Sequence, residues 1–194
     1  MDAKKSNLIG SLLFDPLVPA YARPEAFEGT VAVVATPFNC YLRGDDPDKT
    51  NEMIAEIVVD FMKRYDLPFF GQWEQGHLLQ RRGFGSRVRM MDTANGERAE
   101  SQRLGRWAAQ HIKEECGGTK VIRVGMPEHL GRCVAIDRYF GLEPVVPIAC
   151  EDVPYDDTKR PGTQRWCTSR PVFSGYERLV ARPGTVAKLL LGAF

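Results

Sequence analysis

Residues 125–133 read GMPEHLGRC. Glu128, His129 and Arg132 stand together there, after the apolar run KVIRV and before the helix-like run VAIDRYFGL. A histidine at such a corner can act as acid or base near neutral pH. Arg132 lies three residues on and shares its face of a helix, and Pro127 suits a helix's first turn. A helix start attracts anions through its N–H groups and its dipole. These residues therefore describe an anion site, for a phosphate, a carboxylate or a nucleotide. They also have a plainer use: His129 capping the preceding loop, and Arg132 pairing with Glu128 or with the acidic loop at 151–157.

The elements that would position this corner can be read along the chain. VAVVAT at 31–36 has the short, β-branched, uncharged make-up of a buried strand. Residues 50–65 repeat Met53, Ile54, Ile57, Val58, Phe61 and Met62 at spacings of three and four, the stripe of a helix that Asp48 or Thr50 would cap. LPFFGQW at 67–73 reads as a second strand, and 97–115 as a helix with Leu104, Trp107, Ala108 and Ile112 inward, stopped by Gly117 and Gly118. KVIRVG at 120–125 is a third strand. A helix over 128–140 follows, with Leu130, Cys133, Val134, Ile136 and Phe140 inward, and PVVPIA at 144–149 is a fourth strand, at a sheet edge because of its prolines. A further helix around 173–191 is split near Pro183. The run LIGSLLF after Lys4 and Lys5 is broken by Asp15 and Pro16, and reads as a packing arm rather than a signal peptide.

Strands alternating with helices predict an α/β fold: a Rossmann-like open, mostly parallel sheet with helices on both faces. One domain of 194 residues is expected, with its core at about 31–150, an N-terminal arm and a C-terminal helical extension. In such a sheet ligands bind beyond the carboxyl ends of the strands. Those ends carry Thr36, Asn39 and Cys40; Gln72, Glu74 and His77; Asn95 and Glu97 ahead of a helix; Glu128, His129 and Arg132; and Glu151 and Asp152. Parallel strands would turn all of them toward one crevice. TPFN replaces the G-x-G-x-x-G that a dinucleotide-binding turn requires, which disfavours NAD and FAD.

Composition narrows the classes further. The formal net charge is +1, too small for the global field of a nucleic-acid binder. Five widely spaced cysteines, with no CxxC and no Cys/His zinc pattern, read as reduced thiols, and three scattered histidines give no metal site. No segment approaches the roughly 20 apolar residues of a membrane helix, so the expected location is the cytoplasm. QRRGFGSRVR at 80–89 reads either as a cationic lid or as a solvated loop.

The stretch KVIRVGMPEHLGRCVAIDRYFGLEPVVPI resembles the YdcF-like, SanA-like family of small α/β proteins. In that family a strand runs into a His-hydrophobe-x-Arg motif that opens a helix, and a glycine and another strand follow. Here His129, Leu130, Gly131 and Arg132 match, then Gly141 and PVVP. Where the family carries a Thr-x-Glu-x-Ala motif, NGERA stands: Glu97 and Ala99 match, and Asn95 replaces the threonine. TPFN and GQWEQG replace the glycine-rich ends expected after the first two strands, and the resemblance spans residues 31–150. It implies a Rossmann-like fold, a crevice lined by the His, Arg and Glu of those motifs, and a nucleotide-like ligand.

Together these readings predict a protein that binds a small anionic or nucleotide-like ligand at the strand ends, as a transferase or hydrolase if it is an enzyme. His129 and Arg132 would hold the anion, with Asn39, Glu97 and Glu128 around it, and His129 and Glu97 as the catalytic pair. The cofactor is unknown, with S-adenosylmethionine or another nucleotide among the candidates. His129→Ala and Arg132→Ala are expected to weaken binding with little loss of stability. The competing expectation is a non-enzymatic interaction module that docks through the basic loop 81–89 and the C-terminal region.

Overall fold

Five short strands pair side by side in the order β3-β2-β1-β4-β5, and every pairing among the described residues is parallel. The structure is a computed structural model and describes residues 2–38, 48–91, 100–156 and 169–191. The strands are β1 (Ala32–Ala35), β2 (Phe69–Gln72), β3 (Val88–Met91), β4 (Lys120–Val124) and β5 (Glu143–Val145). This is the expected α/β, Rossmann-like sheet, with one strand more than the sequence pattern showed. β3 escaped notice because VRMM alternates charged and apolar residues too briefly to register a period, and it lies on the sheet's edge beside β2.

The helices are α1 (Ala3–Phe14), α2 (Lys49–Arg64), α3 (Trp73–Leu79), α4 (Ser101–Cys116), α5 (Pro127–Tyr139), α6 (Arg170–Tyr176) and α7 (Arg182–Leu190). Asp48 caps α2 by accepting from the Asn51 N–H at 2.7 Å, one of the two expected caps. Gly117 ends α4 at φ 68°, in the left-handed region that glycine enters without a Cβ clash. Successive residues of a strand face opposite sides, and β1 divides accordingly. Val33 and Ala35 pack with Phe69 of β2 and Ile54, Val58 and Phe61 of α2. Ala32 and Val34 pack with Phe70, Val121 and the α4 residues Ala108 and Ile112.

The N-terminal arm is a helix. Leu8 and Leu12 of α1 pack on Ala135 of α5 and Leu189 of α7. The chain after α1 then docks on the start of α5, where the Leu17 carbonyl accepts the Gly131 N–H at 2.8 Å. A methyl group at Gly131 would come within 2.4 Å of that carbonyl and of an Arg182 nitrogen, so only glycine permits the approach. At the other end, α6 and α7 join through a five-residue π-helical segment, Glu177–Ala181. The break expected near Pro183 is therefore a bulge in a continuing helix, and Pro183 sits harmlessly in the first turn of α7.

The segment 80–89 is not an open basic loop. It carries a bent π-helical turn (Gln80–Phe84), a 3-10 turn (Gly85–Arg87) and the start of β3. Arg82 pairs with Glu52, Arg87 with Asp66 at 3.1 Å, and Arg89 with Glu115 at 2.7 Å. Arg87 also donates to the Met62 and Leu67 carbonyls at 2.8 Å, tying the end of α2 to the segment before β2. Three of the four arginines therefore hold the fold's own acids and carbonyls.

Candidate functional site

The sheet order reverses direction between β1 and β4. That switch point is where an open α/β sheet leaves a crevice at its carboxyl edge. β4 leads through Gly125 and Met126 directly into α5, so Glu128, His129 and Arg132 start at this point. Met126 is the N-cap of α5 and offers no side-chain cap. Its carbonyl instead accepts from the N–H groups of His129 and Leu130, at 3.0 and 3.1 Å. Of the N–H groups that a helix start leaves free, that of His129 is taken by this carbonyl and Pro127 has none; the Leu130 bond is an ordinary helical one, and Gly131 donates to Leu17.

The His129 and Arg132 side chains do come together, and two further residues join them. Ser101, the first residue of α4, places its Oγ 3.2 Å from His129 Nε2. Arg132 Nη2 lies 3.3 Å from the same Nε2, and Arg132 Nη1 lies 3.3 Å from Ser101 Oγ. Across the cluster Glu177 accepts a two-pronged pair of hydrogen bonds from Arg132, both at 2.9 Å. Glu177 Oε1 is also 3.9 Å from His129 Nδ1. Glu177 is completely buried, and Ser101 and His129 nearly so. Burial disfavours the Glu177 carboxylate, but Arg132 and His129 outweigh it and hold the group below the ordinary carboxylate range. Burial likewise works against the Arg132 cation, and Glu177 more than restores it.

These side chains line one wall of a cavity of about 330 Å³. Phe173, Tyr176 and Val180 form its apolar wall, and an ion pair between Glu100 and Lys188 stands at its rim. The four charges, Arg132 and Lys188 against Glu177 and Glu100, cancel. A cation without a partner, as the sequence expectation needed, is not what Arg132 provides: its positive charge is engaged by Glu177.

The other predicted residues go elsewhere. Glu128 pairs with Arg170 at 2.9 Å, outside this cavity, and its Oε2 is buried with no hydrogen-bond partner among the described residues. Thr36 turns inward and accepts from Arg123 of β4. Arg123 in turn faces Asp137 of α5 at 3.3 Å, both essentially inaccessible. Burial pushes the Asp137 carboxyl up to about 7 despite the opposing pull of Arg123. Asn39, Cys40, Asn95 and Glu97 lie outside the described residues. No group of three or more metal-ligating side chains occurs among the described residues. No described helix is long and apolar enough to cross a membrane.

Ser101 and Glu177 were not singled out in the sequence, though a signal existed for each. Ser101 stands three residues before Leu104 and continues the buried stripe of α4. Glu177 stands four residues after Phe173, which makes it an acid on the apolar face of its helix. A polar residue at a core position of an amphipathic helix must find a buried partner. Compared with known proteins, the chain matches no family model, no curated protein and no solved structure.

Proposed function

We propose that this chain is a Rossmann-like protein of the YdcF-like type. It binds a small anionic or nucleotide-like ligand in the cavity between the starts of α4 and α5 and the C-terminal helices, and acts on it by transfer or hydrolysis. One observation carries this reading: Ser101, His129, Arg132 and Glu177, from three separate elements, converge on one cavity at the starts of α4 and α5. A volume of about 330 Å³ falls within the range of small-ligand sites.

The charge balance decides how the ligand sits. The buried Arg132–Glu177 pair is geometrically complete. The Glu100–Lys188 pair is half exposed on both sides, and exposed pairs contribute about 0–1 kcal/mol. Lys188 can therefore exchange Glu100 for a ligand's anion at little cost. The reactive end of the ligand then points inward, to His129 and Ser101. His129 serves as the acid or base in this reading, and Arg132 works by fixing Glu177.

The test is a thermal-shift screen of the full chain against nucleotides, sugar phosphates and S-adenosylmethionine. A ligand selective for the folded state stabilises it by about 2.7 kcal/mol at a concentration of ~100 Kd. At 2–4 °C per kcal/mol that raises Tm by roughly 5–10 °C. The shift should shrink in Lys188→Ala and in His129→Gln. A flat screen with working controls overturns the reading. It would favour a protein-docking module instead, which draws on the exposed apolar side chains Phe14, Leu179, Leu190 and Leu191 of the terminal helices.

A further inference from the structure

We propose that Ser101 is a nucleophile, activated by His129 and positioned through Glu177, and that the substrate class is a small carboxylic ester. This rests on the reading that the cavity is the ligand site, and adds the reaction carried out there.

The geometry is that of a hydroxyl, an imidazole and a carboxylate in series. Ser101 Oγ is 3.2 Å from Nε2 of His129, and the opposite ring nitrogen, Nδ1, is 3.9 Å from Glu177 Oε1. Nucleophile, base and orienting acid in this order define an activated serine wherever the three meet, whatever the fold. The imidazole–carboxylate distance is longer than a hydrogen bond, as such contacts often are before substrate closes the site. Nε2 faces two donor groups, the Ser101 hydroxyl and Arg132 Nη2. Arg132 can only donate, so the neutral ring carries its lone pair at Nε2 and its proton at Nδ1, the tautomer a general base for Ser101 requires, with Arg132 Nη2 and the Ser101 hydroxyl sharing that lone pair.

Three features distinguish this cluster from an ordinary buried polar network. Ser101 opens a sixteen-residue helix, and its N-cap, Glu100, makes no side-chain capping bond. The positive end of the α4 dipole therefore lies at the nucleophile. Arg132 Nη1, 3.3 Å from Oγ, places the Glu177-paired guanidinium beside the nucleophile, where it favours loss of the hydroxyl proton to His129. Glu177 also occupies the first position of the π-helical segment, and single π-turns within helices are frequent at functional sites. A phosphoryl group fits less well, since no buried cation in the cavity is left unpaired to meet its equatorial oxygens.

The reaction balances with water as the only co-reactant. Ser101 Oγ bonds to the ester carbonyl carbon as its proton passes to His129 Nε2. The bond from that carbon to the alkoxy oxygen breaks, and the leaving alcohol takes the proton from Nε2. Water then attacks the acyl-serine, giving one proton to Nε2. The carbon–Oγ bond breaks, Oγ recovers that proton, and a carboxylic acid leaves. Phe173, Tyr176 and Val180 form the wall available to the acyl chain, and Lys188 can meet an anionic group on the alcohol side.

The experiment is active-site labelling of the full chain with an alkyl fluorophosphonate, followed by intact mass and peptide mapping, together with p-nitrophenyl acetate turnover. The expected result is one adduct per chain on Ser101, and a p-nitrophenolate burst of one equivalent as the acetyl group is retained on the serine. Both should be lost in Ser101→Ala and fall at least tenfold in His129→Gln. Glu177→Gln should keep the adduct site but slow labelling and change its pH profile, which a merely structural glutamate would not do. No adduct on the folded wild-type chain, or an adduct on another residue, overturns the proposal, and this holds even if a variant fails to fold. A ligand-induced thermal shift that persists in Ser101→Ala, beside absent labelling, would refute the nucleophile while leaving the ligand site standing. Labelling of Ser101 with a flat ligand screen would do the reverse.

Discussion

Arg132→Ala tests whether Glu177 is held in the site as a paired ion. Glu177 is 0% exposed, and one guanidinium binds both of its oxygens. Removing one member of a buried pair leaves the other charged, desolvated and unmatched, at a cost of about 3–5 kcal/mol. At 2–4 °C per kcal/mol for a chain of this size, the variant should melt roughly 6–20 °C below the wild type. The little loss of stability expected from sequence is therefore revised. The pH dependence has a definite sign. In the wild type the Glu177 carboxyl is held below its unfolded value. Its contribution is present above about pH 4.3 and fades as pH falls through the depressed folded value. In the variant, burial is opposed only by the smaller pulls of His129 and Arg182, and the folded carboxyl is expected to titrate above its unfolded value. The penalty is then fullest near neutral pH and is relieved as pH falls, because protonation removes the buried charge. The gap in Tm should narrow between about pH 7 and pH 5 by calorimetry. Arg132→Met combined with Glu177→Leu should recover most of the loss, since apolar groups of similar volume replace buried ion pairs well. A variant as stable as the wild type, or a gap that does not change with pH, refutes the paired-ion account.

Three other outcomes follow from the packing. Gly131→Ala should detach the segment after α1, which meets the glycine through the Leu17 and Pro16 carbonyls. A loss of about 1–3 kcal/mol is expected, with faster proteolysis within residues 2–20 as the readout. Asp137→Ala leaves Arg123 buried without its carboxyl partner and should cost about 3–5 kcal/mol by denaturant titration above about pH 7, where that carboxyl is ionised, whereas Arg123→Met with Asp137→Leu should cost much less. Cys133 and Cys150 are buried, and burial pushes the Cys150 thiol up to about 11. Both should resist iodoacetamide in the native chain and react on denaturation, as mapped by mass spectrometry; rapid native labelling of either would contradict the burial.

The fold was legible because its signals are local and redundant. α2 carries its stripe and its Asp48 cap within one stretch, β1 is apolar on both faces, and Gly117 ends α4 where a glycine pair was seen. β3 was not legible, because a four-residue edge strand is defined by its register against β2 and not by any period of its own. The site was half legible. His129 and Arg132 sit three apart on one helix, so their proximity follows from helical geometry alone. Ser101 and Glu177 are separated from them by 28 and 45 residues, and only the packing of α4 and the C-terminal helices joins the four. The role given to Arg132 depended on having no partner, and its partner came from the extension that the sequence could not place.

That extension changes what the β4–α5 corner can do. With α6 and α7 removed in thought, His129 and Arg132 form an open cationic corner suited to any small anion. With them in place, Glu177 cancels the Arg132 charge, and Phe173, Tyr176 and Val180 wall the space. An electrically balanced cavity discriminates weakly by net charge and more strongly by where charge appears during a reaction, because fixed dipoles and a pre-paired cation need not reorganise to meet it. On the proposed reading, the cluster is better matched to charge that develops on an ester's carbonyl oxygen beside Ser101 than to a resting phosphate on Arg132. The same argument explains why the acid comes from the C-terminal helix. A carboxylate introduced on a separate element can face His129 Nδ1 at 3.9 Å while Ser101 of α4 lies 3.2 Å from Nε2.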